Sequence, residues 1–254
     1  MQALIFAAGL GTRLRPLTDD RPKALVEVAG VTMLERVIRR IAAAGVGEIV
    51  VNIHHFGDKI VDFLNSNDFG VKIVVSDERD FLLDTGGGVV KARKFFSGDE
   101  PILLHNADIL TDFDLREMEF AHLASGADAS ILVAERDTSR YFLFDNERRL
   151  QGWTNVVTGE VKPPTIDPLT LRRLAFGGVH IISPTVLDRL ARYSRNLPAE
   201  QHGKFSITTF YIDECHSIDV RAYLPSAPYK WHDVGKIESL REAEADILRR
   251  DNEA

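Results

Sequence analysis

Residues 3–13 read Ala3-Leu4-Ile5-Phe6-Ala7-Ala8-Gly9-Leu10-Gly11-Thr12-Arg13: an unbroken apolar run, a turn holding two glycines, then a cation. An apolar run of this length closed by glycines is read as a buried strand, Ala3–Ala8, that delivers the chain into a tight loop. Glycines in such a loop let backbone amides approach phosphate oxygens closely. The loop is not a dinucleotide fingerprint, because G-x-G-x-x-G starting at Gly9 needs glycine where this chain has Leu14, and the G-K-S/T ending of a P-loop is absent. It does carry Arg13 and Arg15, with Pro22-Lys23 close behind. A triphosphate is a polyanion whose transferring phosphorus gains electron density as it reacts, so fixed cations and amides are the expected stabilisers. On that chemistry Arg13 is assigned to the β- and γ-phosphates and Lys23 to the neighbourhood of the α-phosphate.

Working outward, short apolar runs alternate with helical patterns. Strands are expected at Glu48–Ile53, Val71–Ser76, Pro101–His105 and Ala129–Val133. Helices are expected at Met33–Ala44, ending at Gly45, and at Gly57–Leu64, Gly87–Phe96 and Leu115–Ser125. Between Tyr141 and Leu174 the pattern loosens into turns and an extended hairpin or lid. It resumes with a strand at Ala175–Ser183, helices at Pro184–Tyr193 and Ser206–Cys215, a strand at Val220–Leu224 and a last helix at Ile237–Arg249. Strand–helix alternation of this kind predicts an α/β fold: a Rossmann-like mixed, mostly parallel sheet with helices on both faces and a small inserted lobe. Ligands of such sheets sit at loops beyond the carboxyl ends of the strands, here Gly9–Arg13 and Asn106–Asp108. The chain is read as one domain, 1–254, with a nucleotide-binding part over about 1–135 and a second lobe with the C-terminal part over about 136–254.

Phosphate chemistry with a divalent metal calls for one or two carboxylates at loop ends. Asp108, in Leu104-His105-Asn106-Ala107-Asp108, and Asp233, in Trp231-His232-Asp233-Val234-Gly235, are the candidates for magnesium. Asn106 either bonds a ligand hydroxyl or orders its loop, and His105 is read as a core residue, not a base. His54-His55 would point to opposite faces of a strand, so they are read as a strand-end pair and not as joint metal ligands.

Residues 5–25, IFAAGLGTRLRPLTDDRPKAL, resemble the signature of the sugar-1-phosphate nucleotidyltransferases, matching at Gly9, Gly11, Thr12, Arg13, Pro16, Leu17, Thr18, Pro22, Lys23 and Leu25. The resemblance extends from Leu4 to the last helix and implies the nucleotide-diphospho-sugar transferase fold. It implies that the Ala7, Ala8 and Gly9 backbone helps hold a base while Gly11, Thr12, Arg13 and Lys23 grip phosphates, and that Asp108 and Asp233 hold Mg2+. Ala107 departs from the family's usual glycine. Leu83-Asp84-Thr85-Gly86-Gly87-Gly88 is similar to a family segment lying against the base, which implies contacts from Thr85, Gly86 and Gly87. Phe176-Gly177-Gly178-Val179 resembles a strand near the sugar and makes Gly178 a sugar-side candidate. The family's E-K-P motif is replaced by Leu150–Asn155, with an echo at Glu160-Val161-Lys162-Pro163, so Asn155 and Lys162 are the remaining sugar candidates.

The resemblance implies transfer of a nucleoside monophosphate from a nucleoside triphosphate to a sugar 1-phosphate. T-G-G-G and the segment Asp108–Asp114 look most like N-acetylmuramate 1-phosphate uridylyltransferases of cell-wall recycling, which favours UTP; mannose-1-phosphate guanylyltransferases are the alternative. A non-catalytic nucleotide-sugar-binding regulator should have lost Arg13, Lys23, Asp108 or Asp233, and all four are present. The net charge of −7 argues against nucleic-acid or anionic-membrane partners, and no apolar run reaches the length of a membrane span. The single cysteine, Cys215, allows no internal disulfide and is expected to be a buried thiol. A cytoplasmic monomer or small homo-oligomer, with no further domain after the last helix, is the expectation.

Overall fold

The computed structural model describes residues 1–250 with their side chains and the last helix to Glu253. The chain forms two compact units. The first comprises Gln2–Leu82, His105–Phe113 and Ala227 onward; the second comprises Leu83–Leu104 and Asp114–Ser226, with Met1.

The chain starts with β1 (Gln2–Phe6), the short strands β2 (Glu27–Val28) and β3 (Val31–Thr32), α1 (Met33–Ala43), β4 (Glu48–Ile53), α2 (Gly57–Ser66) and β5 (Lys72–Asp77). It enters the second unit with α3 (Asp84–Ala92) and β6 (Ile102–Asn106), whose last residues return to the first unit and lead into β7 (Ile109–Thr111). The second unit continues with α4 (Leu115–Ser125), β8 (Ala129–Ala134), β9 (Arg140–Phe144), β10 (Leu150–Asn155), β11 (Glu160–Lys162), β12 (Arg172–Ile182), α5 (Thr185–Asn196), α6 (Ile207–Glu214) and β13 (Val220–Tyr223). The chain closes in the first unit with β14 (Trp231–Asp233) and α7 (Ile237–Glu253).

In the first unit β1 lies between β4 and the last residues of β6, His105 and Asn106, with β1 parallel to β4 and β4 parallel to β5. Ala3, Leu4 and Ile5 are fully buried, as an apolar strand covered on both faces must be. The chain runs from β1 to β4 and β5 on one side and returns as β6 on the other. The carboxyl ends of β1 and β6 therefore lie side by side where the strand order reverses, the place at which such sheets commonly bind ligands. Helix α1 forms because Met33, Leu34, Val37, Ile38 and Ile41 recur at helical spacing and are all buried, and because the Thr32 hydroxyl accepts from the Glu35 amide at 3.2 Å. It stops at Gly45, whose φ of 88° breaks the helix at no steric cost.

The second unit is largely antiparallel: β11, β10, β9, β12 and β8 follow one another in order, and only β13 lies parallel to its neighbour β8. The expected hairpin between Tyr141 and Leu174 is thus three strands, β9 to β11. The fold is the α/β class expected, its sheet parallel in one unit and mainly antiparallel in the other. Strands β7 and β14 were not anticipated, because three-residue strands show no alternation to read.

Helix α3 begins at Asp84, not at Gly87, so Gly86, Gly87 and Gly88 lie inside it and are buried. The reason is packing. A Cβ on Gly86 would lie 2.3 Å from Cε2 of Phe205, and one on Gly87 would lie 2.5 Å from the Gly203 carbonyl oxygen. The Gly86 amide donates to the Phe205 carbonyl at 2.9 Å, and the Ile207 amide donates to the Thr85 hydroxyl at 2.9 Å. Cys215 is buried as expected, and burial pushes its thiol pKa up. No helix among the described residues is long and apolar enough to cross a membrane.

Gly86→Ala should destabilise the ligand-free protein by about 1–3 kcal/mol, because the ring of Phe205 must move. Unfolding in urea without nucleotide checks this; an unchanged midpoint would leave base contact as the only reason for glycine there. His105 on β6 is fully buried, and burial lowers its pKa from 6.5 to about 4, while Nδ1 donates to the Asn106 carbonyl at 2.8 Å. Below pH 6.5 the unfolded chain takes up this proton and the folded chain does not. Its contribution is therefore complete above pH 6.5 and lost as pH falls towards 4. Urea midpoints of His105→Leu should fall less steeply than wild type over that window; equal slopes would show that His105 does not titrate there.

Candidate active site

The loop after β1 is pinned at its start and exposed at its tip. The amides of Ala7 and Ala8 donate to Oδ1 of Asn52 at 2.7 and 3.3 Å, so both alanines are buried, whereas Gly9 and Leu10 are exposed. Gly11 then adopts φ 65°, and its carbonyl accepts from the Thr18 hydroxyl at 2.9 Å and the Leu14 amide at 3.0 Å. A Cβ here would also press on Cβ of Lys23 at 2.9 Å, so glycine is what lets the turn close onto Lys23. Residues Thr12–Leu14 form a single helical turn that buries Leu14 and leaves Thr12 and Arg13 exposed. The first amides of such a turn have no carbonyl within it to bind and are available to an anion.

Asp108 follows β6, held by the Ala107 amide donating to the Phe6 carbonyl at 3.1 Å. The Ala107 methyl is buried without displacing this bond. The carboxylate of Asp108 forms an ion pair with Lys23. Asp233 arrives through β14, which pairs antiparallel with β7 so that Asp233 faces Ile109, and the Val234 amide then donates to the Asp108 carbonyl at 2.9 Å. The two aspartates therefore sit next to one another at the end of this small ladder. Gly235 completes the arrangement: a Cβ there would lie 2.8 Å from Oδ1 of Asp233 and 2.9 Å from Nη2 of Arg13. Arg13 and Asp233 thus flank one point, and only a glycine leaves both in place.

The ladder is braced from behind. The Lys230 amide donates to Asp112 at 2.6 Å, and Arg250 of α7 bonds the other oxygen of Asp112 at 2.7 Å. His232 and Lys230 beside Asp246 hold its carboxyl below the usual carboxylate range. A cavity of about 170 Å³ lies between these groups and α1.

The structure thus brings Ala7, Ala8, Gly9, Gly11, Thr12, Arg13, Lys23, Asn106, Asp108 and Asp233 into one unit, with the two cations beside the two acids. Thr85, Gly86, Gly87, Asn155, Lys162 and Gly178 belong to the second unit. There Asn155 accepts from the Val157 and Thr158 amides at 3.0 and 3.3 Å and so orders the β10–β11 turn. Lys162 is exposed, pairs with Glu160 at 3.1 Å and lies over the Trp153 ring. Gly178, with φ 73°, sits where the register of β12 against β8 shifts. His54 and His55 follow β4 directly, His54 donating from Nδ1 to the Glu78 carbonyl at 2.6 Å. Sequence reasoning did not single out Asn52 or Glu78; the available signal was one amide-bearing residue interrupting the β-branched run of β4.

The profile described as nucleotidyl transferase matches residues 2–250. N-acetylmuramate alpha-1-phosphate uridylyltransferase of Caulobacter vibrioides is 46% identical over 109 residues, covering 42% of this chain and 45% of that protein. Mannose-1-phosphate guanylyltransferase 1 of Arabidopsis thaliana is 32% identical over 212 residues, covering 81% of this chain and 56% of its own length. The chain spans about half the length of these two relatives. The crystal structure of HddC from Yersinia pseudotuberculosis superimposes with a TM-score of 0.74 at 22% identity, over 97% of this chain and 99% of that one, which shows a shared fold. With the profile running through both units and every element of the acidic and basic cluster, the chain belongs to the nucleotidyl transferase family.

Proposed function

We propose that the protein transfers a nucleoside monophosphate from a nucleoside triphosphate to a sugar 1-phosphate. The observation that carries this reading is the clustering of Arg13, Lys23, Asp108 and Asp233 at the carboxyl ends of β1 and β6. Two carboxylates on adjacent strand ends are a donor set that suits magnesium, which takes one or two carboxylates and fills its remaining positions with phosphate oxygens and water. Asp108 and Asp233 would hold it, and when bound it neutralises phosphate charge. In this reading Arg13 grips the β- and γ-phosphates and Lys23 faces the α-phosphate, where charge builds. The sugar phosphate oxygen attacks the α-phosphorus; the new P–O bond forms as the bond to the β-bridging oxygen breaks, and pyrophosphate leaves. The nucleophile is already anionic, so no general base is required, in keeping with a His105 that is buried and neutral.

UTP with N-acetylmuramate 1-phosphate is the substrate pair we favour, supported by the identity to the Caulobacter uridylyltransferase. The longer alignment with the Arabidopsis guanylyltransferase supports GTP with mannose 1-phosphate as the second reading. A non-catalytic regulator gains no support, since all four charged residues are retained and Lys23 pairs with Asp108.

A matrix of nucleoside triphosphates against sugar 1-phosphates, with magnesium and with pyrophosphate release as readout, tests the reaction and chooses between the pairs. Silence across the matrix rules out transfer. Asp108→Asn and Asp233→Asn should each lower kcat by about 100-fold or more while leaving the thermal midpoint within a few degrees; normal turnover in either removes the metal assignment. Arg13→Ala should reduce kcat/KM for the triphosphate by about 100-fold and alter the sugar phosphate KM little. Equal losses on both substrates would contradict its place on the triphosphate.

A further inference from the structure

Asn52 is the residue of β4 in register with Phe6, the last residue of β1. Beyond that pair the β1 backbone has no further strand partner on this side, and the Asn52 side chain takes over. Its Oδ1 gathers the amides of Ala7 and Ala8 at 2.7 and 3.3 Å, and its Nδ2 donates to Oε1 of Glu78 at 2.9 Å. Asn52 is 2% exposed and Glu78 0% exposed, so these bonds form away from water, where a misplaced polar group is costly. The Glu78 backbone is tied in turn, its amide to the Ile53 carbonyl at 2.8 Å and its carbonyl to His54.

Two amides converging on one oxygen fix two successive peptide planes. Because the amide is planar and trans, an Ala8 N–H held towards Asn52 turns the Ala7 carbonyl the opposite way, and the direction in which the chain leaves for Gly9 is set. We infer that Asn52, oriented by Glu78, is a positioning residue for the nucleobase: it sets the Ala7–Gly9 backbone against which the base is held. The inference rests on the nucleotidyl-transfer reading for what occupies the site, and on the family resemblance for setting the base against Ala7–Gly9. It assigns nothing to Asn52 in gripping phosphates, which falls to Gly11, Thr12, Arg13 and Lys23.

The donor–acceptor order of the Asn52–Glu78 bond supplies the test. Asn52→Asp keeps the shape and the acceptor for Ala7 and Ala8 but sets oxygen against oxygen at Glu78. Adding Glu78→Gln reverses the bond, so that the new amide at position 78 donates to the new carboxylate at position 52, and restores the pair. Calorimetric titration of the full chain with magnesium, using UTP or GTP, whichever wild type binds more tightly, and inorganic tripolyphosphate, separates base from phosphate. Asn52→Asp should weaken the nucleotide about tenfold or more while tripolyphosphate binding changes by less than about twofold, and the double variant should recover most of the loss. Asn52→Ala should shift the same ratio, a quantity that a reduced folded fraction does not alter. Parallel weakening of both ligands, or a double variant that regains thermal stability without nucleotide affinity, would overturn the assignment. Wild type that binds nucleotide with this selectivity yet releases no pyrophosphate with any sugar phosphate would remove the transfer reading and leave the positioning role standing.

Discussion

The antiparallel pairing of Ile109–Thr111 with Trp231–Asp233 is the contact on which the site depends. It joins segments from distant parts of the chain, and the Val234–Asp108 bond at its end sets the second aspartate beside the first. So short a ladder has little stability of its own. Its support comes from Asp112 and Asp246, which collect Lys230, His232 and Arg250 and so tie the strands to α7. Exposed ion pairs contribute little singly, so their joint effect is geometric: they hold α7 and the ladder in one arrangement.

Charge explains why the cluster needs such bracing. Two carboxylates brought together repel one another, and so do two cations; alternating them lets each offset its neighbour. Lys23 pairs with Asp108, and Arg13 lies beside Asp233 across Gly235. Acids able to hold a divalent cation and bases able to hold a polyphosphate thus stand together in the chain itself. In the proposed reading a magnesium nucleotide, which carries both complementary charges, would satisfy both sets at once.

Glycines mark two close approaches at the site for different reasons. Gly11 supplies a left-handed backbone and leaves space for Lys23, whereas Gly235 supplies only space, between Arg13 and Asp233. The run at Gly86–Gly88 is different again, since its missing side chains make room for Phe205 and Gly203. A glycine run in sequence signals a close approach without saying whether the neighbour is ligand or protein, and here protein accounts for the packing.

Much of this was legible in the chain. The apolar run before Gly9, the spacing of Leu34, Val37, Ile38 and Ile41, and the cations at Arg13 and Lys23 follow from local periodicity and local chemistry, and they determined the α/β class and the glycine turn with its cations. Residues whose partners are distant were not legible in this way. Asn52 and Glu78 match no motif, and strands β7 and β14 are too short to show a period. The part Asn155 plays in ordering its turn was hidden for a related reason: its partners, the Val157 and Thr158 amides, come within reach only once the turn is formed. Periodicity reports which face of a segment is buried; it does not report what lies opposite. Tertiary structure alone decided that Asp233 meets Asp108 and that one asparagine holds the start of the loop, because both depend on pairings between segments far apart in the chain.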